Sequence, residues 1–251
     1  MARNHTPADS PPNARPRADA AALAVALVFP TLVTLAYFVW LKAAAAGWQQ
    51  LAWLAGKTLQ FGFPAVWVLV VRHERLSLRR PTRADWLIGC GTGGAAFVVA
   101  VALYALWLKP IGLFAAAEPA LRARLTGVGL DSGLGYAVLA VFYSAVHSLL
   151  EEYYWRWFVF ARLNRFVSTR RAALISSAGF AAHHVFILAD YFGWQSGATW
   201  GFSLAVALGG FGWAWLYHRT RTLATVWISH ALVDAAIFTI GFDLVKLSAR
   251  P

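Results

Sequence analysis

The chain has 251 residues, of which 59% are hydrophobic and 13% charged, and it carries a formal net charge of +11. Soluble domains hold about 25% charged residues, so a chain this apolar cannot cover itself with polar groups in water, and a bilayer is the solvent that fits. The excess base forms no stripe on a polar face; it sits in short segments between long apolar runs, which argues against nucleic acid as a partner and for loops held at a membrane surface.

The chain opens on a polar, Pro-rich stretch, read as a disordered tail over residues 1–18. The apolar run that follows is too long for the core of a cleavable signal and reads as an anchor that stays. A spanning helix needs about 20 apolar residues. Candidates follow in order at Ala20–Leu41, Trp48–Val71, Trp86–Leu108, Leu134 to about Phe160, Ala172–Asp190, Thr199–Tyr217 and Thr222–Val245. The expected fold is therefore an all-α, polytopic membrane helix bundle of about seven transmembrane helices (six to eight). It is one membrane domain, with N-terminal helices over 19–133 and a second group over 134–245.

Between the third and fourth candidates, Lys109 to Gly133 is too long for a tight turn. Phe114, Leu121 and Leu125, with Arg122 and Arg124, suit either a short interfacial helix or a plain loop. Gly89 and Gly93 make a small-xxx-small pair, and Gly209, Gly210 and Gly212 crowd the sixth candidate; both patterns allow close helix approach. Cys90 is the single cysteine. It excludes an intrachain disulfide and a cysteine-based zinc site, and reads as a small buried packing residue.

The bases set a topology. With the N-terminus cytoplasmic, the inner segments hold Arg3, Arg15 and Arg17; Arg72, Arg75, Arg79, Arg80 and Arg83; Arg162, Arg165, Arg170 and Arg171; and Arg219 and Arg221. The outer segments hold only Lys42, Lys109, Arg122, Arg124, Lys246 and Arg250. This bias predicts a multi-pass protein of the cell (inner) membrane with its N-terminus inside and, for seven spans, its C-terminus outside.

Ionisable groups within spans cost several kcal/mol and call for an explanation. They are His147, Glu151, Glu152 and Arg156 in the fourth candidate, His183 and His184 in the fifth, and His230 and Asp234 in the seventh. Lys57 in the second is expected to snorkel or pair. At 1.5 Å per residue, Glu151, His184 and His230 share a layer roughly 12–18 Å from the inner face. Pairs four residues apart share a helix face: His147 with Glu151, Glu152 with Arg156, and His230 with Asp234. A Glu152–Arg156 ion pair leaves Glu151, about 100° around the helix, for another task. His183 and His184 cannot point the same way, so one faces the site and the other a neighbour. Singly, each group also fits a helix–helix hydrogen bond.

Together these residues resemble the CAAX-protease and bacteriocin-processing family (CPBP, or Abi) of intramembrane endopeptidases. The motif Glu-Glu-x-x-x-Arg stands at Glu151-Glu152-Tyr153-Tyr154-Trp155-Arg156, Phe-x-x-x-His at Phe180 to His184, and His-x-x-x-Asn/Asp at His230 to Asp234. Order and spacing match over about Tyr136 to Phe238.

The resemblance implies that Glu151 activates a water, that Glu152 and Arg156 hold its segment, and that His184, His230 and Asp234 complete the site. His147, one turn before Glu151, is a supporting candidate outside the motifs; no role passes to His183. Two versions stay open. In one, Glu151 and His184 polarise the water directly and His230 donates to the oxyanion. In the other, Glu151, His184 and His230 hold a divalent ion such as zinc. No His-Glu-x-x-His signature occurs, which leans toward the first. Asp234 stands where other members carry Asn, so an ionised carboxylate there would repel an oxyanion.

The implied substrate is a membrane-associated protein or peptide, and the Ala- and Arg-rich composition suits a bacterial setting. A proton- or ion-coupled transporter is the competing reading, because buried Glu, Asp and His also build proton relays, although no repeats or paired broken helices are visible. An inactive scaffold or immunity protein of the same family is a third.

Overall fold

The computed structural model describes residues 14–75 and 78–245. Among them are eight helices and no strand. Helix α1 (Ala14–Leu35) continues as a π-helical stretch over Ala36–Trp40, α2 (Ala46–Val66) over Trp67–Val71, and α3 (Arg83–Leu103) over Tyr104–Leu108. Helix α4 is Glu118–Gly127. Helix α5 runs without a break over Gly133–Leu163, with π-helical stretches at Phe142–His147 and Tyr153–Phe160. Then come α6 (Thr169–Phe192), α7 (Gly197–Thr220) and α8 (Leu223–Val245).

The expected tail lies outside the described residues as far as residue 13, and the chain is helical from Ala14. Between α3 and α5 the chain forms a short helix rather than a plain loop: Pro119 opens α4, where its missing N–H costs nothing, and Arg122 pairs with Glu118 one turn away.

Among the described residues six helices are long and apolar enough to cross a membrane: α1, α2, α3, α5, α6 and α8. The molecule is thus a multi-pass helical bundle, within the expected six to eight spans. Helix α7 is equally long at 24 residues, but its glycines and tryptophans keep it out of that set. It nevertheless packs back along α6. Exposed Val98, Val99, Leu106 and Trp107 on α3 are what a lipid-facing helix presents. Cys90 lies on this exposed surface. The expectation of a buried packing residue fails because the glycine face of α3, not the cysteine face, turns inward.

Ion pairs gather at the helix ends. At one end Arg162 of α5 meets Asp19 of α1 at 3.1 Å and Glu74, just past α2, at 2.8 Å. At the other, Asp190 of α6 takes Lys42 at 2.7 Å and also Arg124 of α4, while Lys109 reaches Asp243 of α8 at 2.5 Å. Asp190 and Asp243 are both paired there.

Two contacts fix the helices that carry the ionisable groups. Helices α3 and α8 pack through Gly89 and Gly93; a Cβ on Gly93 would fall 2.7 Å from the Ser229 Cα, beside His230. Of the three glycines in α7, Gly210 sits against Phe180 and Ser177, whereas Gly212 faces open space.

Pro30 lies inside α1 and has no N–H, so the carbonyl of Ala26 loses its helical donor. The buried Tyr154 hydroxyl of α5 replaces it, donating to Ala26 O at 2.7 Å. Tyr154→Phe would leave that carbonyl unpaired in a dry interior. The expected loss is about 1–3 kcal/mol in a denaturant titration of the detergent-solubilised protein. An unchanged midpoint would mean that another donor serves Ala26.

Candidate active site

Helix α5 presents adjacent carboxylates from the short α-helical segment Ser148–Glu152, which lies between its two π-helical stretches. π-helical turns inside α-helices often accompany functional sites, because they re-aim side chains that regular geometry would misplace.

Glu152 is fully buried and faces two partners. Arg156 NH1 is 3.0 Å from Glu152 Oε1, and His230 Nδ1 donates to the same oxygen at 2.7 Å. The guanidinium also lies over the rings of Phe180, 4.7 Å from its centroid, and Trp213, at 5.1 Å. Its NH2 reaches the Gly210 carbonyl at 3.4 Å. The expected Glu152–Arg156 pair is therefore present, with His230 as a third member that spacing along α5 did not announce.

Glu151 turns to a different set of groups, and its partners within 4.0 Å are imidazoles. His230 Nε2 is 3.8 Å from Oε2, His147 Nδ1 is 3.9 Å from Oε2, and His183 Nε2 is 3.9 Å from Oε1. These gaps exceed a direct hydrogen bond, yet one water at about 2.8 Å from each partner bridges such a separation. His230 Nε2 also lies 3.6 Å from Asp234 Oδ1. Asp234 thus sits beside the imidazole, one turn along α8.

The two adjacent histidines of α6 differ in their surroundings, and the one nearer Glu151 is His183, to which the resemblance passes no role, rather than His184. His183 is buried, its ring parallel to that of Trp155 at 6.1 Å, and it is the one within 4.0 Å of Glu151. His184 is half-buried, with its ring 4.2 Å from that of His183. Its Nδ1 donates to the Phe180 carbonyl at 2.9 Å, which leaves Nε2 as the acceptor nitrogen. The Phe-x-x-x-His spacing has a physical basis here. Phe180 supplies the carbonyl that sets the His184 tautomer, and its ring stands edge-on to His184 at 4.9 Å and to His230 at 6.0 Å.

Several contributors carry no motif signal. Trp213 stacks on His230 at 4.1 Å and donates its indole N–H to Ser229 Oγ at 3.2 Å. Thr92 of α3 donates to the same hydroxyl at 3.2 Å. Tyr143 packs on His147 at 4.8 Å. A tryptophan one helix away reads as ordinary core until the tertiary structure brings it over an imidazole.

Among the described residues, no group of three or more His, Cys, Asp or Glu side chains is arranged to hold a metal ion. Glu151, His184 and His230 form no such group.

Residues 133–236 match the model of a family described as type II CAAX prenyl endopeptidase Rce1-like. No curated protein and no solved structure matches the chain. The matched segment holds all three motifs and bears out the resemblance read from them. It supports an intramembrane endopeptidase activity, and with it a membrane-associated protein substrate met at the bilayer.

Proposed function

We propose, from the Rce1-like character of residues 133–236, that this protein is a glutamate-dependent intramembrane endopeptidase and that Glu151 is its general base. The observation that carries this reading is a buried carboxylate ringed by imidazoles at 3.8–3.9 Å, a spacing that a bridging water spans.

In this mechanism Glu151 takes a proton from the water while its oxygen attacks the peptide carbonyl carbon. His184, the more open of the two α6 histidines, accepts the water's other hydrogen at Nε2. His183, pinned against Trp155, orients Glu151. His230 donates from Nε2 to the tetrahedral oxyanion, with Glu152 fixing its other nitrogen. Glu151 then passes its proton to the departing amine, and the C–N bond breaks. Asp234 serves as an orienting group for His230 rather than as an oxyanion donor, which resolves the difficulty of a carboxylate where other members carry Asn. The substrate is a membrane-associated protein or peptide of a bacterial cell, and the Arg-rich end of the bundle faces the cytoplasm.

Comparative terminal proteomics of membranes from cells making wild-type or Glu151→Gln protein tests the reading directly. At least one membrane protein should keep an unprocessed terminus only in the variant; identical termini would remove the proposal.

Chelation separates the two chemical versions. Purified enzyme dialysed against EDTA and then 1,10-phenanthroline should retain its cleavage rate within about twofold, because this mechanism draws no Lewis acid from the solvent. Loss of activity restored by zinc would transfer water activation to a metal.

A further inference from the structure

Lys57 and Gln60 lie on α2, outside the family-matched segment, and share a helix face three residues apart. The opposite flank of α2, at Thr58, Leu59 and Gly62, lines an apolar groove with Val25 and Phe29 of α1. The Lys57 face turns inward instead. The neighbouring Phe61 ring is 5.8 Å from His147 and 6.3 Å from Tyr154. Lys57 interacts electrostatically with Glu151, His147, His183 and His184, which sets its ammonium beside the catalytic layer.

The ammonium is poorly matched by what surrounds it. Lys57 Nζ donates to Gln60 Oε1 at 3.3 Å and lies over the rings of Trp53, at 4.8 Å, and Phe61, at 5.5 Å. No carboxylate of the described residues forms an ion pair with it. Gln60 is completely buried, and its Nε2 has no hydrogen-bond partner. A lysine inside a span with no carboxylate in direct contact, next to a buried amide whose N–H groups are unused, costs stability that packing does not explain. With the Gln60 carbonyl already taken by Lys57, what the pair has left to offer is the amide N–H donors and the positive charge, which is the chemistry of a carboxylate receptor.

We propose that Lys57 and Gln60 form a carboxylate-binding subsite beside Glu151, and that its occupant is the C-terminal carboxylate of the peptide being cut. The inference rests on Glu151 marking the hydrolytic centre. A peptide carbonyl would leave the ammonium without a carboxylate in direct contact; a carboxylate supplies one and uses the free amide donors. Holding the chain end at a fixed point beside Glu151 would place the scissile bond at a set distance from the C-terminus.

The probes are N-decanoyl-Leu-Leu-Leu as free acid, the same peptide as its C-terminal amide, and N-decanoyl-Leu-Glu-Leu amide, whose acid is a side chain. Binding is measured on full-length protein carrying Glu151→Gln in lipid nanodiscs, so that turnover does not interfere. The free acid should bind about tenfold more tightly than either amide, as one charge-assisted contact allows. Adding Lys57→Met should bring that preference within about twofold, adding Lys57→Arg should keep most of it, and Gln60→Leu should reduce it.

Equal binding of acid and amide by the parent protein overturns the subsite, as does a preference that survives Lys57→Met. If the side-chain acid binds best, the C-terminal assignment falls. If Lys57 merely balanced the charge of Glu151, cleavage of acid and amide probes by Lys57→Met protein would fall equally. Absence of hydrolysis from otherwise wild-type protein, with the acid preference intact, would count against the endopeptidase reading and leave the subsite standing.

Discussion

Replacing Glu151 with glutamine is expected to lower kcat by about 10²–10⁴-fold with little change in KM, the range over which a positioned general base accelerates a reaction. The substitution keeps the shape of the side chain and removes the proton acceptor. Because the carboxylate is buried among imidazoles rather than tied into the Arg156 pair, its loss should not unfold the protein. Glutamine keeps the volume of the side chain and relieves the cost of holding a carboxylate out of water. The diagnostic result is therefore a folded protein, with an unchanged or higher melting temperature, that no longer cleaves. A variant within tenfold of wild-type kcat would assign proton abstraction elsewhere, and His183→Gln and His184→Gln would then be the next variants to compare.

Arg156→Met should be the most destabilising single change in the bundle. Glu152 is fully buried, and Arg156 supplies its compensating charge at 3.0 Å. Truncating one partner of a buried pair costs about 3–5 kcal/mol, chiefly because the remaining charge is stranded. His230 keeps its bond to Glu152 and offsets part of this, so a loss near the lower bound is expected in unfolding titrations. The double variant Glu152→Gln/Arg156→Met should recover most of it. Arg156→Lys should not rescue the protein, because the planar guanidinium also stacks over Phe180 and Trp213. Loss of the pair frees His230 as well, so cleavage should fall along with stability. An Arg156→Met protein as stable as wild type would show that Glu152 is buried without its charge.

The helices were readable because apolar length and flanking bases are local signals. The predicted seven segments lie within a few residues of the long helices, and Gly89 with Gly93 marks a real close approach between α3 and α8. The site was partly readable. Four-residue spacing announced Glu152 with Arg156 and His147 with Glu151, since both pairs are made within one helix. What periodicity cannot carry is the meeting of separate helices. The bond from His230 to Glu152, the Trp213 stack and the closeness of His183 to Glu151 depend on crossing geometry. Lys57 was visible as an oddity in the second span, but its direction was not. The packing of Phe61 on His147, one turn along α2, shows which way that face turns.

The hydroxyl bridge from Tyr154 to the proline-interrupted turn of α1 bears on autonomy. The family-matched segment carries every proposed catalytic side chain, yet one of its own buried tyrosines completes a broken turn in a helix over a hundred residues upstream. Excised on its own, that segment would expose the hydroxyl and its apolar neighbours to acyl chains that offer no acceptor. The first helix is thus an architectural subunit of the enzyme's interior, and constraints on its sequence at Ala26 and Pro30 should track those on residue 154.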